Sequence, residues 1–385
     1  MNPIDELLTR GVANIIPSKA ELEKALRSDK KLNVYLGIDP TATKIHLGHA
    51  VPLRKLQQFI NLGHNVTFLI GDFTALIGDT SDKDSERPVL TYEQIEKNFQ
   101  TYKQQAEKVI DFSKITVQHN SEWLKKLNFE DILKLTRHFG LNDFISRELI
   151  KKRLAEGKSV SLPEVLYPVM QGYDSYFMDT DIQVGGTDQT FNMQAGRTLQ
   201  KDLRGKETFV VANPFLTGTD GRKMSKSWGN AIWLNDLPND IYGKVMSIKD
   251  ELLEEYFVLA TKVVTPDLSN PMEAKKKLAY QIVFELHGKQ DAQAAQKHFE
   301  TTIQQGQAPT NISTFALSQL SADATIVDLL ETAKLVQSRG EGKRLLQQQG
   351  VAVNQFPITN LQFTIKELKS GDIIKIGKRK WLKII

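Results

Sequence analysis

The first half of the chain alternates short apolar runs with amphipathic helical patterns, and this alternation restricts the fold more than any other feature. The apolar runs that predict strands are LNVYLGI (32–38), NVTFLIG (65–71), ITVQH (115–119), IQVGG (182–186) and TFVVANP (208–214). Helical patterns lie between them, for example at 46–62 and 92–109. Strands that alternate with helices form a parallel sheet covered on both faces. We therefore predict an α/β fold built on a doubly wound parallel sheet.

The rest of the chain changes character twice. The pattern over about 120–165 predicts mostly helix, which we interpret as a helical insertion between two halves of the sheet. Residues 237–305 are also predicted to be rich in helix. The polar stretch QAPTNISTF (307–315) predicts a linker, and a compact module of helices and strands closes the chain. The predicted domains are a catalytic domain at 1–235, a helical domain at 236–318 and a C-terminal domain at 324–385.

Composition narrows the class of protein. A chain of 385 residues allows two or three domains, and 40% hydrophobic with 25% charged residues is typical of soluble proteins. We find no apolar run long enough to cross a bilayer, and the charged N-terminus does not resemble a secretory signal. The absence of cysteine excludes disulfides and thiolate metal sites, so we expect no zinc and a reducing, cytoplasmic location.

Positive charge is concentrated near the C-terminus. Between Ile326 and Ile385 there are eleven Lys or Arg residues and five Asp or Glu residues, a surplus larger than the net +4 of the whole chain. A basic patch confined to one small domain suits a phosphate backbone. A surface that only increases solubility is the alternative.

A pair of histidines follows the first predicted strand of the sheet. In YLGIDPTATKIHLGHA (35–50), His46 and His49 are three residues apart at the start of a helix. Ligands of open α/β sheets bind beyond the carboxyl ends of the strands, and helix N-termini favour anions. The pattern therefore predicts contacts to phosphate. Two surface histidines, or a metal pair, are the alternatives.

A second cationic segment is GTDGRKMSKSWG (218–229). It sets Arg222, Lys223 and Lys226 among glycines and serines. Mobile cations that close on a developing negative charge stabilise a transition state more than a ground state. The segment is therefore predicted to be a mobile lysine loop, 217–230, that closes on a polyanion.

A polar stripe on a predicted helix forms the third constellation. Tyr167, Gln171 and Asp174 recur at helical spacing in LYPVMQGYDSYF (166–177). A carboxylate among apolar residues needs a donor, and a phenolic hydroxyl can supply it. An Asp on the helix surface is the alternative.

The HLGH and KMSKS sequences together resemble the two signature motifs of class I aminoacyl-tRNA synthetases, in the right order and roughly 175 residues apart. The resemblance implies a Rossmann-like catalytic domain that uses ATP as a substrate, with Mg²⁺ on the phosphates. The catalytic residues that it implies are His46, His49, Thr41, Lys83, Arg87, Lys223 and Lys226. Those implied for ATP binding are Asp39, Gly48, Gly186, Asp188 and Lys226.

The helical stripe is similar to the tyrosine-binding helix of bacterial tyrosyl-tRNA synthetases. By that resemblance, Asp174 and Tyr35 meet the substrate phenol, and further residues hold its ammonium and carbonyl groups. The full set implied for tyrosine binding is Tyr35, Thr74, Asp79, Tyr167, Gln171, Asp174 and Gln189. The family also implies a homodimer formed through the helical insertion.

The C-terminal segment resembles a small RNA-binding fold that is shared with a ribosomal protein. The implied RNA contacts are Arg339, Lys343, Arg344, Lys378, Arg379 and Lys380, and the helical domain is expected to meet the anticodon stem. The expected partners are tyrosine tRNA, L-tyrosine and ATP.

Three other functions share part of this pattern. A tryptophanyl enzyme has both motifs but needs no Asp174 facing a phenol. An RNA-binding protein with an inactive synthetase body would have damaged motifs, and both are intact here. A nucleotidyltransferase of cofactor synthesis shares the histidine motif without needing a basic C-terminal module.

Overall fold

The computed structural model describes residues 2–77, 90–304, 312–377 and 380–385. The chain divides into two compact units, Met1–Gly288 and Lys289–Ile385. Each unit has its own core and is described by itself.

A six-stranded sheet forms the centre of the first unit. Its strands are β1 (Asn14–Ile16), β2 (Asn33–Ile38), β3 (Asn65–Ile70), β4 (Thr116–His119), β5 (Ile182–Gly186) and β6 (Phe209–Asn213). The spatial order is β1-β6-β5-β2-β3-β4, and β2 to β6 all pair in parallel. The predicted α/β fold is confirmed, with one difference. The edge strand β1 is antiparallel to β6, and three residues are too few to show a strand pattern in the sequence.

Helices surround this sheet. They are α1 (Pro3–Leu7), α2 (Lys19–Leu26), α3 (Leu47–Asn61), α4 (Tyr92–Ala106), α5 (Ser121–Leu124), α6 (Phe129–Thr136), α7 (Leu141–Ile145), α8 (Glu148–Ala155), α9 (Leu162–Phe177), α10 (Thr190–Arg204), α11 (Pro238–Met246), α12 (Leu253–Ala260) and α13 (Pro271–His287). Leu53, Leu56 and Phe59 of α3 are fully buried. The helical insertion comprises α5 to α8, and Pro163 lies in the first turn of α9, where proline is tolerated because that N–H has no helical partner.

Two glycines bring α9 and α10 into close contact. A Cβ atom on Gly172 of α9 would lie 3.1 Å from the backbone carbonyl of Ala195, and one on Gly196 of α10 would lie 2.8 Å from Cβ of Ser175 on α9. Larger residues would separate the helices. This packing therefore fixes how α9 presents its polar stripe to the sheet.

The second unit combines helices with a smaller sheet. Its elements are α14 (Lys289–His298), a π-helical turn (Phe299–Gln304), β7 (Ser313–Phe315), α15 (Ile326–Thr332), α16 (Arg339–Gln347), β8 (Val351–Val353), β9 (Phe356–Pro357), β10 (Ile373–Ile376) and β11 (Lys380–Ile384). The strand order is β7-β11-β10-β8-β9. β7 lies in the stretch predicted as a linker. It pairs in parallel with β11, and its Phe315 joins the core.

Within the described ranges, no helix is long and apolar enough to cross a membrane.

Gly196→Ala is expected to destabilise the first unit by about 1–3 kcal/mol, because the added methyl group overpacks the contact with Gln183 and Ser175. The measurement is a thermal or urea unfolding curve of the full chain. Gly340→Ala is the control, since Gly340 is exposed on α16 and a Cβ there meets nothing closer than 3.8 Å. Equal stability of parent and Gly196→Ala would contradict the inferred contact.

Candidate active site

A cavity of about 260 Å³ lies where β2, β3 and β5 end. Nine of the residues predicted for the site line it: Tyr35, Asp39, Thr41, His49, Thr74, Tyr167, Gln171, Asp174 and Gln189. They come from β2, from the segments that follow β2, β3 and β5, and from α3 and α9, so the fold brings together residues that are far apart in sequence. This is the position expected for a ligand of an open α/β sheet.

A buried carboxylate forms one wall of the cavity. Asp174 on α9 is 2% exposed, and its two oxygens accept from Nδ2 of Asn120 at 3.1 Å and Nε1 of Trp123 at 2.7 Å. Burial raises the pKa of Asp174 to about 8, although these two hydrogen bonds oppose the shift. Because a carboxylate has further lone pairs, Asp174 can accept from one more donor in the cavity.

Asn120 and Trp123 were not among the predicted site residues. Their partner lies more than fifty positions along the chain, and no local pattern links them. One signal was present: Asn120 comes directly after β4, and side chains at that end of a parallel strand face the ligand site.

Tyr35, which is predicted to meet the substrate phenol, also has hydrogen-bond partners within the protein. Its phenol donates to Oε1 of Gln183 at 3.1 Å and also bonds to the Gln171 side chain. Burial, together with the nearby Asp174 carboxylate, raises the pKa of Tyr35 well above its ordinary value. The phenol is therefore neutral and lies near Asp174 without being its hydrogen-bond donor in this structure.

A second carboxylate, Asp39, is held by two hydroxyls. Tyr167 donates to Oδ2 at 2.8 Å and Thr74 donates to Oδ1 at 2.7 Å. A Cβ atom on Gly71 would lie 2.1 Å from Oδ1 of Asp39, so only glycine leaves room for this arrangement. Asp39, Thr74 and Tyr167 thus form a polar wall that can receive a cationic group.

The two histidines lie at the start of α3. His46 is the N-cap with an extended backbone (φ −112°, ψ 173°), so it precedes the first turn in which it was predicted. Its backbone N–H donates to Nδ1 of His49 at 3.2 Å, and the ring centroids are 3.9 Å apart. A Cβ atom on Gly48 would lie 3.0 Å from the His46 ring, so the glycine makes room for that imidazole.

His46 is neutral in this environment. Burial, with smaller contributions from His49 and Lys223, lowers the pKa of His46 to about 2. The buried Nδ1 of His46 has no hydrogen-bond partner among the described residues. A neutral imidazole can donate one hydrogen bond to a ligand without adding a full charge.

Gln105 on α4 holds the loop that leads to these histidines. It is fully buried, its Oε1 accepts from the backbone N–H of Ile45 at 3.1 Å, and its Nε2 donates to the carbonyl of Thr43 at 2.8 Å. This residue was also missed, because a buried glutamine within an amphipathic helix has no distinctive sequence pattern.

The lysine loop approaches the site at Asp188. Nζ of Lys223 is 3.8 Å from Oδ2 of Asp188 and 3.7 Å from the centre of the Phe215 ring, whereas Lys226 is exposed. A Cβ atom on Gly186 would lie 2.5 Å from Oδ1 of Asp188, so this glycine is needed where the chain leaves β5. The structure thus brings Gly186, Asp188 and Lys223 together.

Several predicted residues lie outside the described residues. They are Asp79, Lys83 and Arg87, which follow β3 in the sequence, and Lys378 and Arg379, which lie between β10 and β11. Their roles stay predictions.

The remaining predicted RNA contacts lie on the surface of the second unit. Lys343 and Arg344 are exposed on α16. Arg339, at the start of that helix, pairs with Asp328, and Lys380 donates to the carbonyl of Leu335. Two of the four described cations therefore already have acceptors within the unit.

Comparison with known proteins identifies the family. A family model described as tRNA synthetases class I (W and Y) matches residues 27–304. The tyrosine–tRNA ligase of Carboxydothermus hydrogenoformans is 41% identical, over 100% of this chain and 99% of that protein. The corresponding protein of Thermotoga maritima is 39% identical, over 98% and 96%. The chain belongs to the tyrosine–tRNA ligase family.

Solved structures agree with this assignment. A C-terminally truncated mitochondrial tyrosyl-tRNA synthetase from Coccidioides posadasii superposes with a TM-score of 0.62 at 26% identity, covering 77% of this chain and 91% of that one. The resemblance of the two motifs to those of class I aminoacyl-tRNA synthetases is confirmed. The predicted enzyme class, tyrosine–tRNA ligase, is confirmed as well. The individual roles of the site residues stay predictions.

The raised pKa of Asp174 gives a pH dependence that can be measured. A carboxyl whose pKa is about 8 when folded, against an ordinary 3.8, binds its proton more tightly in the folded state. Its contribution to stability is therefore lost as pH rises between these values. As pH rises from about 3.8 to about 8, the free energy of unfolding of the parent should fall relative to that of Asp174→Asn, by at most about 1.4 kcal/mol per pH unit.

Urea unfolding of both chains at several pH values between the two pKa values measures this difference. The loss of one acceptor oxygen in Asp174→Asn shifts the difference equally at every pH and does not alter the slope. A difference that stays constant across this range would show that Asp174 titrates normally in the folded chain.

Proposed function

We propose that the cavity of this tyrosine–tRNA ligase family member activates L-tyrosine with ATP and then transfers the tyrosyl group to the 3′ end of tyrosine tRNA. The observation that carries the proposal is the buried Asp174 carboxylate, which accepts from Asn120 and Trp123 and can accept once more in the cavity. A phenolic hydroxyl is the donor that completes it. Phenylalanine in the same place leaves the buried carboxylate short of a donor, which is costly.

The tyrosine ammonium then belongs at the polar wall around Asp39, which Asn120 links to Asp174 through its hydrogen bond to Thr74. Asp39 is a carboxylate in the cavity, and the hydroxyls of Tyr167 and Thr74 already orient it. Gln171 lies on α9 between Tyr167 and Asp174 and lines the same cavity. We assign Tyr167, Gln171, Thr74 and Asp79 to the ammonium and Gln189 to the carboxyl end.

The ATP end of the site is assigned to the start of α3 and the lysine loop. His46 and His49 lie at this helix N-terminus, where backbone N–H groups favour phosphate oxygens, and Thr41 lies in the loop that leads to it. We assign Asp188 to the ribose hydroxyls, and Gly48, Gly186 and Asp39 to the nucleotide. Lys223 and Lys226 from the loop, with Lys83 and Arg87, supply positive charge.

The chemistry then proceeds in two displacements. A carboxylate oxygen of tyrosine forms a bond to the α-phosphorus of ATP, the bond to the bridging oxygen breaks, and pyrophosphate leaves with the electron pair. In the second step a ribose hydroxyl of the terminal adenosine attacks the tyrosyl carbonyl, AMP leaves, and the hydroxyl proton is lost. Orientation of the reactants and cations around the departing pyrophosphate account for the rate, with no covalent intermediate on the protein.

Metal ions enter this proposal only with the substrate. Among residues 2–77, 90–304, 312–377 and 380–385, no cluster of three or more His, Cys, Asp or Glu side chains is arranged to hold a metal. These residues do not fit a resident metal. Mg²⁺ carried on the ATP phosphates, and the lack of zinc, stay predictions.

The remaining parts of the chain are assigned to tRNA and to assembly. We retain the division into a catalytic domain (1–235), an anticodon-stem domain (236–318) and a C-terminal RNA-binding domain (324–385). A homodimer through the helical insertion is supported by its exposed apolar side chains, since Phe129 is 75% exposed and Leu141 is 66% exposed. Cytoplasmic location stays a prediction.

Amino-acid-dependent exchange of pyrophosphate into ATP tests the proposed function. We expect exchange with tyrosine, and far weaker exchange with phenylalanine or tryptophan, because neither presents a phenol to Asp174. Asp174→Asn should reduce the preference for tyrosine over phenylalanine while the KM for ATP changes little. Exchange that depends on tryptophan instead would overturn the assignment in favour of the related tryptophanyl activity.

Lys226→Ala separates the role of the lysine loop from substrate binding. We expect adenylate formation to slow by about 100-fold or more, because the ammonium acts on charge that develops in the transition state. Tyrosine affinity should remain within about twofold, since uniform binding is not affected. Stopped-flow adenylate formation and equilibrium tyrosine binding measure the two quantities.

Lys277→Ala is the matched control, because Lys277 is an exposed lysine on α13 of the same unit. It should leave both quantities unchanged. An equal loss of tyrosine affinity and of adenylate formation in Lys226→Ala would show that the loop has been assigned the wrong role.

A further inference from the structure

One buried asparagine, Asn230, organises the lysine loop (217–230). It is 3% exposed, at the C-terminal end of the loop. Its Nδ2 donates to Oδ1 of Asp220 at 2.7 Å and to the carbonyl of Lys223 at 3.2 Å, and its Oδ1 accepts from the N–H of Ser225 at 2.8 Å. Both amide hydrogens and the amide oxygen are therefore used, and all three partners belong to the loop.

Asp220 extends this arrangement to Arg222. The Asp220 carboxylate accepts from the backbone N–H of Arg222 at 3.0 Å and from its Nε at 2.8 Å. The Arg222 guanidinium also lies 4.8 Å from the centre of the Trp228 ring. The hydrogen bond from Asn230, followed by those from Arg222, holds the pKa of the Asp220 carboxyl below its usual range.

The start of the loop is anchored independently. The Glu255 carboxylate on α12 accepts from the N–H of Thr217 at 2.6 Å and from its hydroxyl at 3.0 Å. A Cβ atom on the next residue, Gly218, would lie 2.4 Å from the Asn230 side chain, so the chain closes tightly around that amide. The loop therefore has a fixed base and a fixed centre.

The hydrogen bonds of Asn230 fall on either side of Met224, which is 3% exposed. They fix the backbone at Lys223 and at Ser225, the residue before Lys226. Residues 226–229 beyond this point are exposed. Ordering a backbone before reaction removes an entropic cost from the transition state.

We propose that Asn230 is a positioning residue for the lysine loop: its buried amide holds the backbone at Lys223 and Ser225 so that both lysine side chains reach the departing pyrophosphate. The proposal rests on the proposed tyrosine activation. It assigns the amide an effect on the chemical step and none on tyrosine binding, since its hydrogen bonds are made within the loop.

Asn230→Ala should lower kcat for tyrosine-dependent pyrophosphate exchange by about tenfold or more, while the KM for tyrosine stays within about twofold. Asn213→Ala is the matched control. Asn213 is another buried asparagine of the same unit, and its Nδ2 donates to the carbonyl of Gly11 at 2.6 Å, outside the loop. It should lower the melting temperature without lowering kcat. Equal kcat values for the two variants, or an unchanged kcat in Asn230→Ala, would overturn the proposal.

A paired exchange of side chains tests the same contact without leaving a cavity. Asn230→Asp keeps the shape but places a second carboxylate against Asp220, so we expect a loss of kcat at least as large as in Asn230→Ala. Adding Asp220→Asn restores a donor–acceptor pair and should recover part of the lost kcat. A double variant no more active than Asn230→Asp would overturn the proposal even if Asn230→Ala failed to fold. Absence of tyrosine-dependent exchange in the parent would instead refute the proposed function.

Discussion

The burial of Asp174 is the constraint on which the cavity depends. A carboxylate at this depth is tolerated only where donors meet it, and the two donors, Asn120 and Trp123, come from a different part of the chain. Their position requires β4 to end beside β3 and α5 to begin at once, while the glycine contact with α10 sets the position of α9. The sheet order and the packing of α9 on α10 are therefore both required to bring Asp174 and its two donors together in the pocket.

The two ends of the site solve the problem of charge differently. At the Asp174 end, a buried carboxylate is held by the Asn120 and Trp123 side chains, and it can accept one more hydrogen bond from a ligand. At the end that we assign to ATP, burial keeps His46 neutral, and positive charge is carried on a loop whose Lys226 is exposed. A permanently buried cation beside the histidines would carry a desolvation penalty, whereas a lysine that is proposed to approach with the substrate would be compensated by the phosphate charge.

Strands β2 to β6 could be predicted because each is an apolar run between helical patterns. The HLGH and KMSKS motifs could be recognised because each is a contiguous stretch of sequence. β1 could not, since Asn14–Ile16 owes its conformation to pairing with β6 rather than to its own pattern. Asn120, Trp123 and Gln105 could not be predicted for a related reason: their hydrogen-bond partners are far away in the sequence. Tyr35 shows the same limit, because its position was predicted but its hydrogen bond to Gln183 was not.

Asn230 extends this reasoning from the pocket to the loop. Asp174 is a buried acceptor satisfied by donors from elsewhere in the fold, and Asn230 is a buried amide satisfied by the loop that surrounds it. In each case a desolvated polar group has few alternative partners, so it tolerates few alternative backbone conformations. If the loop carries the catalytic cations, as we propose, it needs this restriction near its centre, since a loop ordered only on reaching the phosphates would lose conformational entropy in the step that it accelerates.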